Sequence, residues 1–180
     1  DEIFNRNGES RLEDKNGQDF KLVFKSDYPS ENNGQIIVKT NGKADVGLFV
    51  RLPAFAETII NGKNFGRGGY ADLSGVYADG DVIDVEYITE PKVQRLNGKV
   101  AFTFGAITLA TDEEKFGRDI SKIVDVDDKP AYKSINLQKD ELLRVEITLR
   151  SGEKITLSDY QSCGKNWRNA NNKVTVWFNA

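Results

Sequence analysis

Twenty-eight carboxylates, one thiol and no imidazole bound the chemistry open to this 180-residue chain. A sugar hydrolase needs two carboxyl groups at a set separation, one as acid and the other as base or nucleophile. Acids are plentiful, but Asp72, Asp79, Asp81 and Asp84 fall at turns and strand edges, where solvated charge is expected. Cys163, in YQSCGKNW, stands near Lys165, and a neighbouring cation lowers a thiol's pKa. A nucleophilic thiol also needs a base or a metal. With no histidine and no second thiol to share zinc, Cys163 reads as a bystander. Asp125-Val126-Asp127-Asp128 starts like a calcium loop, but Lys129 stands where the next oxygen ligand belongs. Gly66-Arg67-Gly68-Gly69 has the glycine density of a phosphate cradle. Such a cradle opens a helix, whereas Tyr70-Ala71-Asp72-Leu73 reads as a strand, so a hairpin loop is expected. No catalytic residue, metal site or cofactor is expected. The aromatic side chains remain: sugar rings stack on exposed aromatic faces while polar neighbours set their orientation. Tyr160 and Trp167 are the candidate carbohydrate-binding residues, and Trp177 is expected in the core.

Composition narrows the partners. The net charge is −3 and the sequence pI about 5.2, against the basic face that nucleic acid requires. No apolar run reaches the roughly 18 residues of a membrane helix. Hydrophobic residues make up 38% and charged residues 29%, the balance of a folded globular chain. The chain opens on Asp1 and lacks methionine, so it is expected to be part of a longer polypeptide. A single cysteine permits no internal disulfide, which suits a reducing compartment or a bacterial exported protein.

The elements that would position these residues are strands. Asn-Gly occurs six times, at 7, 16, 33, 41, 61 and 97, and both residues tolerate the positive φ of tight hairpin turns. Val46, Leu48, Val50 and Leu52 fall at every second position, as do Ile83, Val85 and Tyr87, the period of a half-buried strand. GKVAFTFGAITLAT (98–111) suits two buried strands kinked at Gly105. Residues 143–157 form the clearest hairpin, turning at Ser151-Gly152, and KVTVWF (173–178) reads as a closing strand. Residues 112–122 could hold one turn of helix but lack an apolar stripe. The expected fold is all-β: two antiparallel β-sandwich modules in tandem, at 19–94 and 95–180, after a polar linker or loosely attached strand at 1–18.

Several segments, in this order, carry a resemblance to a known family. They are RLPAFA (51–56), INGK (60–63) before Gly69-Tyr70, ADGDVIDVEY (78–87), GKVAFTFGAITLA (98–110) and LSDYQSCGKNW with VTVWF (157–178). Together they resemble the C-terminal β-sandwich region of the family 127 glycoside hydrolases, the β-L-arabinofuranosidases, from about residue 18 to the end. Phe55 replaces the family's usual tryptophan, and Phe104-Gly105-Ala106 its Arg-Gly-Pro. In that family a helical (α/α)6 barrel carries a catalytic glutamate and zinc-bound cysteines. None of those positions falls in this chain, and Cys163 matches none of them. The resemblance implies a non-catalytic accessory region whose partners are the upstream barrel or a second copy. The alternative is a carbohydrate-binding module with a glycan partner.

Overall fold

Two Asn-Gly turns show how local chemistry starts this fold. Asn61-Gly62 (φ 48° and 77°) and Asn97-Gly98 (φ 48° and 71°) are left-handed at both residues, as a type I′ hairpin turn requires. The computed structural model describes residues 7–117, 119–165, 168 and 172–180. Nearly all of its regular structure is antiparallel strand, divided between two compact units, Asp1–Thr89 and Glu90–Ala180.

Among the described residues the first unit has ten strands: β1 (Gly8–Glu13), β2 (Asp19–Ser26), β3 (Asn33–Thr40), β4 (Lys43–Val46), β5 (Phe49–Arg51), β6 (Glu57–Ile60), β7 (Lys63–Gly66), β8 (Tyr70–Asp72), β9 (Gly75–Ala78) and β10 (Val82–Ile88). Six form one sheet in the order β1-β2-β3-β10-β6-β7. The other four pair as β4 with β9 and β5 with β8, and a bond from Leu73 N to Leu48 O (2.8 Å) joins the two pairs into one bent ribbon. The core lies between sheet and ribbon. Phe20, Leu22, Ile36, Val38, Ile83 and Val85 enter from the sheet, and Val46, Leu48 and Ala71 from the ribbon. Alternation decides which residues turn inward: Phe20 and Leu22 are buried while Lys21 and Val23 between and beside them keep solvent contact.

Two glycine signals do other work than the sequence suggests. Asn33-Gly34 opens β3 rather than turning a hairpin, and Gly34 pairs with both Ser26 and Val85. A Cβ on Gly34 would come within 3.0 Å of the Lys25 carbonyl oxygen, so the residue serves close backbone approach. Gly66 to Gly69 is no hairpin loop either. β7 pairs with β6 while β8 pairs with β5, so the segment carries the chain from sheet to ribbon. Positive φ at Gly66, Gly68 and Gly69 (79°, 72° and 79°) makes that change of direction.

The second unit comprises β11 (Pro91–Leu96), β12 (Lys99–Phe104), β13 (Ile107–Asp112), α1 (Glu113–Phe116), β14 (Tyr132–Ser134), β15 (Arg144–Thr148), β16 (Lys154–Asp159), β17 (Val174–Thr175) and β18 (Phe178–Asn179). The sheet order is β11-β12-β13-β16-β15-β14, with β17 on β13 and β18 on β12. The 98–111 stretch is a tight hairpin, with Gly105 (φ 57°) opening a two-residue turn between Phe104 and Ile107. Strands here change partners along their length. β12 pairs with β18 at Lys99 and Val100, then with β13 at Thr103 and Phe104. The core is continuous, and its largest buried rings, Phe102 and Phe178, meet edge to face at 5.9 Å. The closing stretch splits into β17 and β18. Trp177, expected in the core, is 37% exposed, and the buried ring is Phe178. Period-two alternation explains the exchange: adjacent residues of a strand face opposite sides.

Candidate functional site

Tyr160 begins a single 3-10 turn, Tyr160–Ser162, directly after β16, and its ring is 57% exposed. The corner that presents it is held by Asp159, only 2% exposed. One Asp159 carboxylate oxygen accepts from Ser162 N (2.9 Å), and the other from Leu142 N (2.9 Å) and Leu143 N (3.3 Å). A carboxylate bound to three amides fixes the corner and leaves the ring to solvent. Trp167, the other candidate aromatic, lies outside the described residues.

The described residues on either side of Trp167 are gripped by three consecutive acids. Asp112 caps α1, accepting from Glu114 N (3.0 Å) and Lys115 N (3.3 Å) through one oxygen and from Gly164 N (2.6 Å) through the other. Glu113 accepts from Lys173 N (3.0 Å), and Glu114 accepts from Arg168 N (3.0 Å) and the Asn172 side-chain amide. The sequence carries half of this signal: an aspartate followed by two glutamates after an apolar strand is an N-cap with an acidic first turn. The other half, the partners 52 to 60 residues away, has no local signature. Lys115 then pairs with Glu141 at 2.6 Å, the glutamate side chain fully buried. Asp112, Glu141 and Asp159 are the buried acids of this unit among the described residues. All three have their oxygens engaged by backbone amides or by Lys115, which is the chemistry of holding a fold.

The remaining candidates resolve one by one. Cys163 is half-buried, and burial pushes its thiol up, with the Ser158 hydroxyl at 3.4 Å as the largest opposing influence. The activation that a nearby lysine could supply is outweighed. In the 124–128 stretch, Val124 and Val126 are fully buried and Asp125, Asp127 and Asp128 turn outward. Asp125 and Asp127 both receive the Arg150 guanidinium (2.9 and 2.7 Å), and Asp128 receives Arg95 (3.1 Å). Among the described residues no three histidine, cysteine, aspartate or glutamate side chains are placed to hold a metal ion.

A feature that sequence reasoning missed lies in the first unit. A ribbon two strands wide, at ~4.8 Å per strand, cannot cover a six-stranded sheet. The uncovered part is a cleft of about 460 Å³. Phe20, Leu22 and Ile36 form its floor, and Leu12, Phe49, Arg51 and Tyr70 stand along it. Phe49 and Tyr70 are each 61% exposed. Only the alternation of β5 and β8 could have flagged them, and three-residue strands are too short for a pattern to stand out.

Comparison with known proteins follows the same division. Residues 4–88 match the family model described as the β-L-arabinofuranosidase GH127 middle domain. No curated protein matches the chain. Among solved structures it is similar to a GH127 β-L-arabinofuranosidase from Geobacillus stearothermophilus T6, with a TM-score of 0.69 and 19% identity over 95% of this chain and 32% of that one. A protein described as a glycoside hydrolase gives 0.70 and 19% identity over 95% and 34%. The GH127 β-arabinofuranosidase BT3674 gives 0.68 and 16% identity over 95% and 33%. At these identities the likeness shows a shared fold, and the chain spans about a third of the length of those proteins. The family-model match falls within the first unit, and the structural likeness extends a shared fold over 95% of the chain.

Proposed function

We propose that this chain is a non-catalytic accessory region of a GH127-type glycoside hydrolase, C-terminal to an (α/α)6 catalytic barrel and packed against that barrel or another subunit. The observation that carries this reading is the match of residues 4–88 to the GH127 middle domain. The buried carboxylates support it, because those of the second unit are engaged in holding the fold. Exposed apolar side chains also support it: Leu12, Val76, Leu96 and Ile123 are each at least 41% exposed, the kind of surface that marks interaction faces when it is contiguous.

The test is to express the 180-residue chain and the remainder of its parent separately, and to assay each and the mixture on an aryl arabinofuranoside. The expected result is a stable complex by analytical ultracentrifugation, with turnover only where the remainder is present. Turnover by the 180-residue chain alone, at a rate set by its own carboxylates, would end this reading. A second reading, carbohydrate binding in the second unit, is favoured by the exposed Tyr160 ring on its Asp159-held corner. It requires that Tyr160→Ala abolish glycan affinity while leaving the fold intact.

A further inference from the structure

Across β5 and β8, Phe49 stands opposite Asp72 and Arg51 opposite Tyr70. Directly opposed residues of an antiparallel pair share a face, and Val50 and Ala71 between them turn to the core. The four outward residues therefore form a two-by-two patch. The aromatic rings occupy one diagonal and the opposite charges the other, with diagonal neighbours ~7–8 Å apart. Both rings are largely in water, which forgoes the burial that large aromatic side chains normally gain. Asp72 is pre-set as an acceptor: one oxygen takes the Ser74 amide (2.9 Å), and the Ser74 hydroxyl takes Leu48 N (3.2 Å). Hydrogen bonds from the Ser74 hydroxyl, and then from its amide, hold the Asp72 carboxyl below the usual aspartate range, so it is ionised at neutral pH. Phe49, Arg51 and Tyr70 also line the cleft, so a ligand on the patch has depth beside it.

We propose that this ribbon face, Phe49, Arg51, Tyr70 and Asp72, is a saccharide-binding surface that takes one or two rings of a neutral oligosaccharide. The rings of Phe49 and Tyr70 stack on the C–H faces of the sugar, and the guanidinium and the fixed carboxylate bind its hydroxyls. One cation and one anion leave the face without net charge, which suits a neutral glycan over a uronate. The choice of ligand class rests on the proposed place of the chain in a glycoside hydrolase, while the location of the face rests on the strand register.

The experiment is a titration of the ¹⁵N-labelled 180-residue chain with neutral arabino-, galacto- and xylo-oligosaccharides, followed by NMR. Saturable shifts confined to Phe49–Arg51 and Tyr70–Ser74 are expected with at least one of them. Tyr70→Ala and Asp72→Asn should each weaken binding about ten-fold with an unchanged melting temperature, and Tyr160→Ala should leave it intact. Absence of shifts at millimolar sugar overturns the proposal, as do shifts elsewhere or binding that survives the Phe49→Ala/Tyr70→Ala double variant. Protection of this face by the separately expressed remainder of the parent, with no sugar binding, also overturns it and makes the face a docking surface. That outcome leaves the accessory reading standing, whereas turnover by the isolated chain would remove the accessory reading and leave the NMR result untouched.

Discussion

The two units are built from the same alternating strands yet finish differently. In the first, a six-stranded sheet faces a narrow ribbon, and Leu22 lies on the floor of an open cleft although it is itself 5% exposed. In the second, β17 and β18 return late in the chain to pair with β13 and β12, and Val124 and Val126 fill the core from an irregular strap. Both units make apolar sheet faces. Among the described residues, the second returns β17, β18 and the 124–126 strap to its core, whereas the first leaves part of its sheet to the cleft. A sandwich is therefore closed by how many elements return, and the count of apolar residues does not decide it.

The largest expected effect bears directly on that contrast. Phe178→Ala, at a fully buried ring packed edge to face on Phe102, should cost about 3–5 kcal/mol. Leu22→Ala, beside the cleft, should fall near the low end for such truncations, about 2 kcal/mol. Hydrogen exchange read separately in each unit measures both, and equal losses would break the comparison. Next is Asp159→Ala, which strips the acceptor from three amides and should cost about 2–3 kcal/mol in the second unit. Denaturant unfolding checks it, and a loss confined to the 3-10 turn would show that the corner and the sheet are separable.

A smaller effect belongs to the first unit. Burial, with repulsion from the Tyr28 phenolate as a lesser cause, pushes the Tyr87 phenol from its ordinary 10 up to about 12. A raised pKa means that the folded state holds the proton longer. The stability tied to it is complete below pH 10 and is lost as pH rises through about 12. Tyr87 keeps some solvent contact, so the loss should be at most about 2 kcal/mol. Alkaline melts of the first unit should show this slope, and Tyr87→Phe should flatten it. The smallest effect is Tyr160→Ala, which should change stability by no more than about 0.5 kcal/mol. A thermal shift as large as that of Asp159→Ala would place the ring in the core and end its candidacy as a sugar platform.

Much of the strand content was legible from local chemistry. The Asn61-Gly62 and Asn97-Gly98 turns, the hairpin of β15 and β16 around Ser151-Gly152, and the alternation of β10 all follow from turn preference and period two. Asn33-Gly34 misled because the same dipeptide serves a second need, a backbone approach too close for a Cβ. Trp177 misled because one residue of register separates the core from the solvent, and Phe178 holds the inward position. The acid clasp of Asp112, Glu113 and Glu114 went unread, since its partners are brought in by β17 and the turn after β16.

By itself, then, the sequence determined the class of element, the positions of many turns and the inward residues of several strands, such as β2 and β10, because these depend on neighbours one to four positions away. It also restricted the chemistry, through a lone cysteine and the absence of histidine. Tertiary structure alone decided that the glycine-rich segment crosses from sheet to ribbon, that Arg150 takes up Asp125 and Asp127, and that Phe49 and Tyr70 share a solvent face beside an open cleft. The physical reason is range. Propensity and alternation act along the chain, whereas coverage of a sheet face and the pairing of distant charges depend on which strands meet across the fold.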